Sequence, residues 1–319
     1  MNTTNKIYQV ALMTPLPISS ANTAAGELTL VNFTGDQQLF TEVEVICTSP
    51  SNKLDGEFIK QLPDNIKLIV SIGVGLDHID LEAANQRNIK VTNTPVVTED
   101  TADLTFALIL AATRRLSINE QFLRNNQWSA SAPMAVLGQS THSKTLGIIG
   151  FGAIGQAVAR RAQGFNIKVI YYSPRRKEAA EKLCNAQYCQ DIEQLLTSAD
   201  IVSLHCPLTA DTAQVIDANK LAKMKKTSVL INTGRGGLVD EEALLTALEN
   251  NEIAAAGLDV YQDEPNVTKG LKALDNVTLL PHIGSATVEC RTNMLHTALR
   301  NIEYYLLGQY EDMNLCLRQ

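Results

Sequence analysis

Along this chain, short apolar runs rich in β-branched residues alternate with stretches of helical period, the pattern of parallel sheets covered by helices. One series of predicted strands occupies 8–13, 43–47, 67–71 and 89–92, and a second occupies 145–149, 168–172, 200–204, 228–231, 254–258 and 277–280. Between them a long helix is predicted over 99–125, with Thr98, Glu99 and Asp100 as capping side chains at its start. The helical pattern resumes after Pro281-His282 and runs over 288–307 without adding a strand, so this last helix is expected to return to the first series. The predicted fold class is α/β, with two doubly wound parallel-sheet domains: residues 1–100 joined by 287–319, and residues 101–286. A ligand is expected in an inter-domain cleft.

Composition narrows the class. A chain of 319 residues suits two domains, and 45% hydrophobic with 19% charged residues lets each build a core. A net charge of −7, with no long Lys/Arg run, argues against nucleic acid as a partner. The most apolar helical stretch, 104–112, falls short of the roughly 20 residues a membrane span needs. The start, Met1-Asn-Thr-Thr-Asn, lacks the basic and apolar regions of a signal peptide, so a cytoplasmic location is expected. Six cysteines without a CxxC pair read as reduced packing residues, with neither a disulfide framework nor a metal site.

The most specific chemistry lies at 144–176. An apolar strand runs into Gly150-Phe-Gly-Ala-Ile-Gly155, which opens a helix and leads to a second strand. A G-x-G-x-x-G in that setting is the Rossmann dinucleotide-binding fingerprint. Gly150 serves the turn, Gly152 the approach of the pyrophosphate and Gly155 the packing of helix on strand, while the helix start at Ala153 and Ile154 presents N–H groups. NAD-specific sites place an acid at the end of the second strand. Ser173 stands there instead, followed by Arg175 and Arg176, with no acid between Tyr171 and Lys177. The expected cofactor is therefore NADPH in preference to NADH, its 2′-phosphate held mainly by Arg175 or Arg176 with help from Ser173.

Three further segments, Asn232-Thr-Gly-Arg-Gly-Gly-Leu-Val-Asp240, Gly257-Leu-Asp-Val-Tyr-Gln-Asp-Glu-Pro265 and Leu280-Pro-His-Ile-Gly-Ser-Ala-Thr287, occur in that order. With Ser71-Ile-Gly-Val-Gly-Leu-Asp77 and Thr101-Ala-Asp-Leu-Thr-Phe-Ala107 they resemble the D-isomer-specific 2-hydroxyacid dehydrogenases over roughly residues 43–308. Within that family the chain is most similar to the glyoxylate/hydroxypyruvate reductases, notably at 282–287 followed by Arg291-Thr-Asn-Met294. The first forty residues diverge from the family's usual first strand and helix, so no functional residue is assigned there.

The resemblance implies reduction of a small 2-keto acid, glyoxylate or hydroxypyruvate, to the D-2-hydroxy acid. Residues 1–100 and 287–319 would form the substrate-binding domain, and 101–286 the Rossmann-like dinucleotide-binding domain. Arg235 would grip the substrate carboxylate and carbonyl oxygen through its rigid fork of donors. His282 would donate the proton, and Glu264 would hold its other ring nitrogen and favour the imidazolium. The resemblance adds backbone donors at Val74 and Gly75 and a substrate contact at Ser285. It adds cofactor contacts at Cys206, Pro207, Thr212, Thr233 and Asp259, and His205 is read as lining the cofactor cleft. Trp128 and its surroundings, 119–139, with Met134 and Leu137, suit a homodimer contact. The loop 129–134 lacks the second aromatic often found there. Two alternatives stay open at this point. One is a phosphoglycerate dehydrogenase-like enzyme, disfavoured by a chain ending at Gln319; the other is a dinucleotide-sensing corepressor module on the same fold.

Overall fold

The computed structural model describes residues 6–131 and 136–316, which fall into two compact units, Met1–Val97 with Ala286–Gln319 and Thr98–Ser285. The first unit is a six-stranded sheet in the order β2-β3-β1-β4-β5-β6. Its strands are β1 (Ile7–Leu12), β2 (Ser20–Thr23), β3 (Gly26–Asn32), β4 (Val45–Thr48), β5 (Leu68–Ser71) and β6 (Lys90–Thr92). All neighbours are parallel except the β2–β3 hairpin.

Successive side chains of a strand point to opposite faces. Continuous apolar runs therefore make a sheet buried on both sides. Ile46 and Ile69 face the short helices carrying Phe40, Ile59 and Ala83, whereas Val45, Cys47, Leu68 and Val70 face Ala298 and Ile302 of the helix Val288–Leu307. Thr287 caps that helix by accepting from the Cys290 amide (3.0 Å), and Gly308 ends it at φ +74°. The hairpin is absent from the sequence pattern for a physical reason. Ser20–Thr23 is polar, and Gly26–Asn32 alternates, burying Leu28 and Leu30 only, so neither forms an apolar run.

The second unit is a seven-stranded, wholly parallel sheet in the order β13-β12-β11-β10-β7-β8-β9. Its strands are β7 (Thr145–Ile149), β8 (Lys168–Tyr172), β9 (Ala186–Tyr188), β10 (Ile201–Leu204), β11 (Val229–Asn232), β12 (Ala255–Leu258) and β13 (Val277–Leu279). Strand order reverses between β7 and β10, and in open α/β sheets ligands bind beyond the carboxyl ends of strands at such a switch point. One face packs Phe106, Ile109, Ala157 and Val158, and the other packs Leu195, Leu221, Leu244 and Leu248.

One predicted element is corrected. The single helix over 99–125 is two, Thr98–Arg114 and Leu116–Arg124, broken at Arg115 in the left-handed region (φ +56°). The first lies on the sheet and buries eight side chains; the second buries none. Neither Gly nor Pro marks the break, so the pattern reads through it. Among the described residues no helix is long and apolar enough to cross a membrane.

Candidate active site

The three glycines after β7 differ in what surrounds them. A Cβ on Gly150 (φ +93°) would lie 2.3 Å from the Cys206 amide nitrogen, and one on Gly155 would lie 2.3 Å from the Gly150 carbonyl oxygen. Side chains are excluded at both, which draws the β7 turn against the end of β10 and the following helix against the turn. At Gly152 a Cβ would meet nothing within 4 Å. That open space lies at the start of the helix Ala153–Gln163, whose N-cap is Gly152 with no side-chain cap. Room, unobstructed amides and the positive end of a helix suit a pyrophosphate. Across the switch point Thr212 donates to the Pro207 carbonyl (2.6 Å) and accepts from the Thr209 amide (2.8 Å), shaping the loop after β10. Burial raises the Cys206 thiol to about 11 and lowers the His205 imidazole to about 3, so both present neutral groups.

At the end of β8 the structure separates residues that the sequence groups together. Ser173 is buried, and its hydroxyl donates to the Arg175 carbonyl (2.5 Å). Arg176 donates through Nε and Nη2 to the two carboxylate oxygens of Glu181 (2.8 and 2.9 Å). Tyr171 donates its hydroxyl proton to the same carboxylate (2.7 Å) while accepting from the Lys177 amide (2.8 Å). The Arg176 hydrogen bond first, and the Tyr171 hydroxyl second, hold the Glu181 carboxyl down at about 2. Arg175 is exposed and has no ion-pair partner among the described residues. The sequence offers two guanidinium groups to a phosphate; in the structure one of them is already gripped bidentately by a carboxylate.

The remaining site residues sit beyond β11, β12 and β13. Buried Asn232 closes the loop after β11, donating to the Arg235 carbonyl (2.8 Å) and accepting from the Gly234 amide (3.0 Å). Thr233 is hydrogen-bonded to Thr105 of the helix Thr98–Arg114 (2.9 Å). Gly236 interlocks this loop with the one after β12, since a Cβ there would lie 1.8 Å from the Tyr261 carbonyl carbon. Asp259 is buried and accepts from the Ile283 and Gly284 amides (2.8 Å each), fixing the loop that carries His282 and Ser285. Burial lifts the Asp259 carboxyl above its ordinary range despite those bonds.

His282 stands in the left-handed region (φ +54°), its amide bonded to the Asp259 carbonyl and its Nδ1 2.7 Å from Glu264 Oε2. Glu264 Oε1 accepts from the Tyr261 amide (3.0 Å). Burial works to raise the Glu264 carboxyl, but the His282 hydrogen bond, the Tyr261 amide and the nearby charges of His282 and Arg235 outweigh it and leave the group below its ordinary range. Arg235, Glu264 and His282 are thus one electrostatic cluster, half-exposed at the strand ends.

Val74 and Gly75 lie in the first unit, in the turn after β5. The Gly73 amide donates to Thr94 Oγ1 (2.9 Å) and Asn93 donates to the Val74 carbonyl (2.9 Å), while the Val74 and Gly75 amides have no protein acceptor among the described residues. Residues that hold the site without facing a ligand were missed from sequence. These are Asn232, Tyr261, whose hydroxyl donates to the Leu280 carbonyl (2.8 Å), and buried Glu241, which accepts from the Gln262 amide and the Thr268 hydroxyl. An Asn closing a strand just before Gly-Arg-Gly was the one available signal.

The profile of the D-isomer specific 2-hydroxyacid dehydrogenase, NAD binding domain, matches residues 106–284. This chain belongs to that family. It is 46% identical over 273 residues to a glyoxylate reductase of Thermococcus litoralis, covering 84% of this chain and 82% of the relative, and 43% identical to that of Pyrococcus furiosus over 84% and 81%. Among solved structures it is similar to an NADPH-dependent glyoxylate/hydroxypyruvate reductase of Sinorhizobium meliloti in complex with NADP and malonate (31% identity, TM-score 0.83, 93% of each chain). It is also similar to a D-lactate dehydrogenase of Aquifex aeolicus complexed with NAD and lactic acid (28% identity, TM-score 0.87, 98% of this chain and 100% of the other). The protein is an NAD(P)-dependent 2-hydroxyacid dehydrogenase, and a nicotinamide dinucleotide is its cofactor. The glycine turn, with its one open position, fits that cofactor.

Proposed function

We propose that this enzyme reduces a small 2-keto acid of the glyoxylate or hydroxypyruvate class to the D-2-hydroxy acid, with NADPH preferred over NADH. The observation that carries the reading is the cluster of Arg235, Glu264 and His282 beyond three adjacent strands. When bound, the nicotinamide supplies the hydride. The protein does the rest. Arg235 grips the carboxylate and polarises the carbonyl oxygen, and the Val74 and Gly75 amides and Ser285 are assigned as further substrate contacts. Glu264, ionised at working pH, occupies Nδ1 of His282 and complements a charged ring, so Nε2 delivers the proton to the developing alkoxide. Gly150 to Gly155, Cys206, Pro207, Thr212, Thr233 and Asp259 hold the cofactor. The sequence similarity to glyoxylate reductases supports the substrate class. Initial rates with glyoxylate, hydroxypyruvate, pyruvate and a larger keto acid, each with NADPH and NADH, test the proposal. The highest kcat/KM is expected for one of the first two with NADPH, and faster turnover of the larger acid would reject the substrate class.

We propose in addition that the chain works as a homodimer through the region around the helix Leu116–Arg124. Leu116, Leu123, Trp128, Val136 and Leu137 are all exposed in this stretch of sequence, large apolar side chains that are costly to leave in water. Met134, the other apolar residue of this stretch, lies outside the described residues. Light scattering should report about twice the 34.8 kDa chain mass at micromolar concentration, and a monomer would overturn the assignment.

A further inference from the structure

Glu181 is anchored from the protein core. Tyr171, whose hydroxyl bonds it, is fully buried and stacks on Phe151 of the glycine turn at 3.9 Å between ring centroids. The Glu181 side chain is itself only 14% exposed. Its two oxygens take the Nε and Nη2 edge of Arg176, the same edge with which an arginine grips a phosphate. Glu178 lies 4.0 Å from the remaining Nη1. A phosphate approaching this edge of Arg176 would have to displace a carboxylate that the Tyr171 hydroxyl also holds, and would meet its charge.

We propose that Glu181 is a specificity-determining residue that limits the discrimination between NADPH and NADH, by withholding the Arg176 guanidinium from the cofactor's 2′-phosphate and leaving that role to Arg175. The inference rests on the proposed placement of the phosphate at the end of β8. The absence of an acid at position 173 admits the phosphate, and the acid eight residues later sets how tightly it is held. Charge cancellation by a bidentate partner accounts for the difference between adjacent arginines that look equivalent in sequence.

The test is the dissociation constant of each cofactor, by calorimetric titration of the full chain without substrate. Four proteins are compared: the unaltered enzyme, Glu181→Gln, Arg176→Ala and the double variant. Glutamine keeps an oxygen for the Tyr171 hydroxyl but removes the charge. Glu181→Gln should tighten NADPH about tenfold, the scale of one charge-assisted hydrogen bond, and leave NADH within about twofold. Arg176→Ala alone should leave NADPH within about twofold, and the double variant should lose the gain. NADPH unchanged or weakened in Glu181→Gln with NADH constant would overturn the proposal, the second outcome making Glu181 a support for Arg176. Should Glu181→Gln fold poorly, a tenfold loss of NADPH in Arg176→Ala overturns it equally. The two readings separate cleanly. An unaltered enzyme that favours NADH refutes the proposed cofactor preference, whereas the inference is read from the change that Glu181→Gln makes relative to that enzyme.

Discussion

In two pairs at the strand ends of the second unit a carboxylate engages a basic side chain, and the same device has different consequences for the donors left over. Glu264 holds Nδ1 of His282, and Glu181 holds Nε and Nη2 of Arg176. An imidazole has two nitrogens on opposite sides of the ring, so engaging one orients the other and complements its positive charge. A guanidinium binds anions through the planar fork that Glu181 occupies, so the partner there spends the binding edge and cancels the charge. On the proposed reading the first pair moves a proton, whereas the second holds its guanidinium against a carboxylate. A carboxylate beside a cation is therefore no guide to function until the donors left over are counted.

The strongest way to break this comparison is His282→Ala. If Nε2 carries the proton, kcat should fall by about 10²–10⁴, the usual worth of general acid–base catalysis, while NADPH binding stays near normal. Near-normal ketone reduction would mean that the histidine pair is as structural as the arginine pair. Arg235→Lys comes next. A lysine keeps the charge but not the fork, so KM should rise and kcat fall, with kcat/KM down by roughly 10². A change in KM alone would assign Arg235 to uniform substrate binding.

Arg175→Ala sharpens the other side. The exposed, uncompensated arginine should contribute a charge-assisted bond to the 2′-phosphate, so titration should show NADPH weakened about tenfold and NADH unchanged. Equal loss for both cofactors would place Arg175 on a group they share.

These contrasts were unequally legible in the sequence. The parallel strands showed because strands buried on both faces are dominated by consecutive apolar residues, as at 45–47 and 229–231. The antiparallel hairpin did not, since half of each such strand faces water. Arg235, Glu264 and His282 were legible as positions because each closely follows a strand, and the sheet order brings neighbouring strand ends together. The Glu181–Arg176 pair was hidden because Glu181 belongs to the next helix, and only the folded 173–177 loop turns Arg176 back onto it. The break at Arg115 was hidden as well, being a change in what lies beneath the helix and not in its residues.

The smallest expected effect concerns pH and separates the two pairs by stability alone. The Glu264 carboxyl is held below its ordinary value of about 4.3. A depressed folded-state value means that the ionised group stabilises the fold fully above the unfolded value, and that this contribution disappears as pH falls through the folded one. Glu264→Gln removes the ionisable group, so the unaltered enzyme and this variant should show a melting-temperature gap while Glu264 is ionised. Below about pH 4 it should close, once Glu264 takes up its proton. Glu181 is held lower still, at about 2, so the corresponding gap for Glu181→Gln should persist to more acid solution before closing. The order of the two closures, Glu264 first and Glu181 second as pH falls, is the discriminating result. The reverse order would show that the imidazole is the stronger partner, and the account of Arg176 as a committed, cancelled charge would fail.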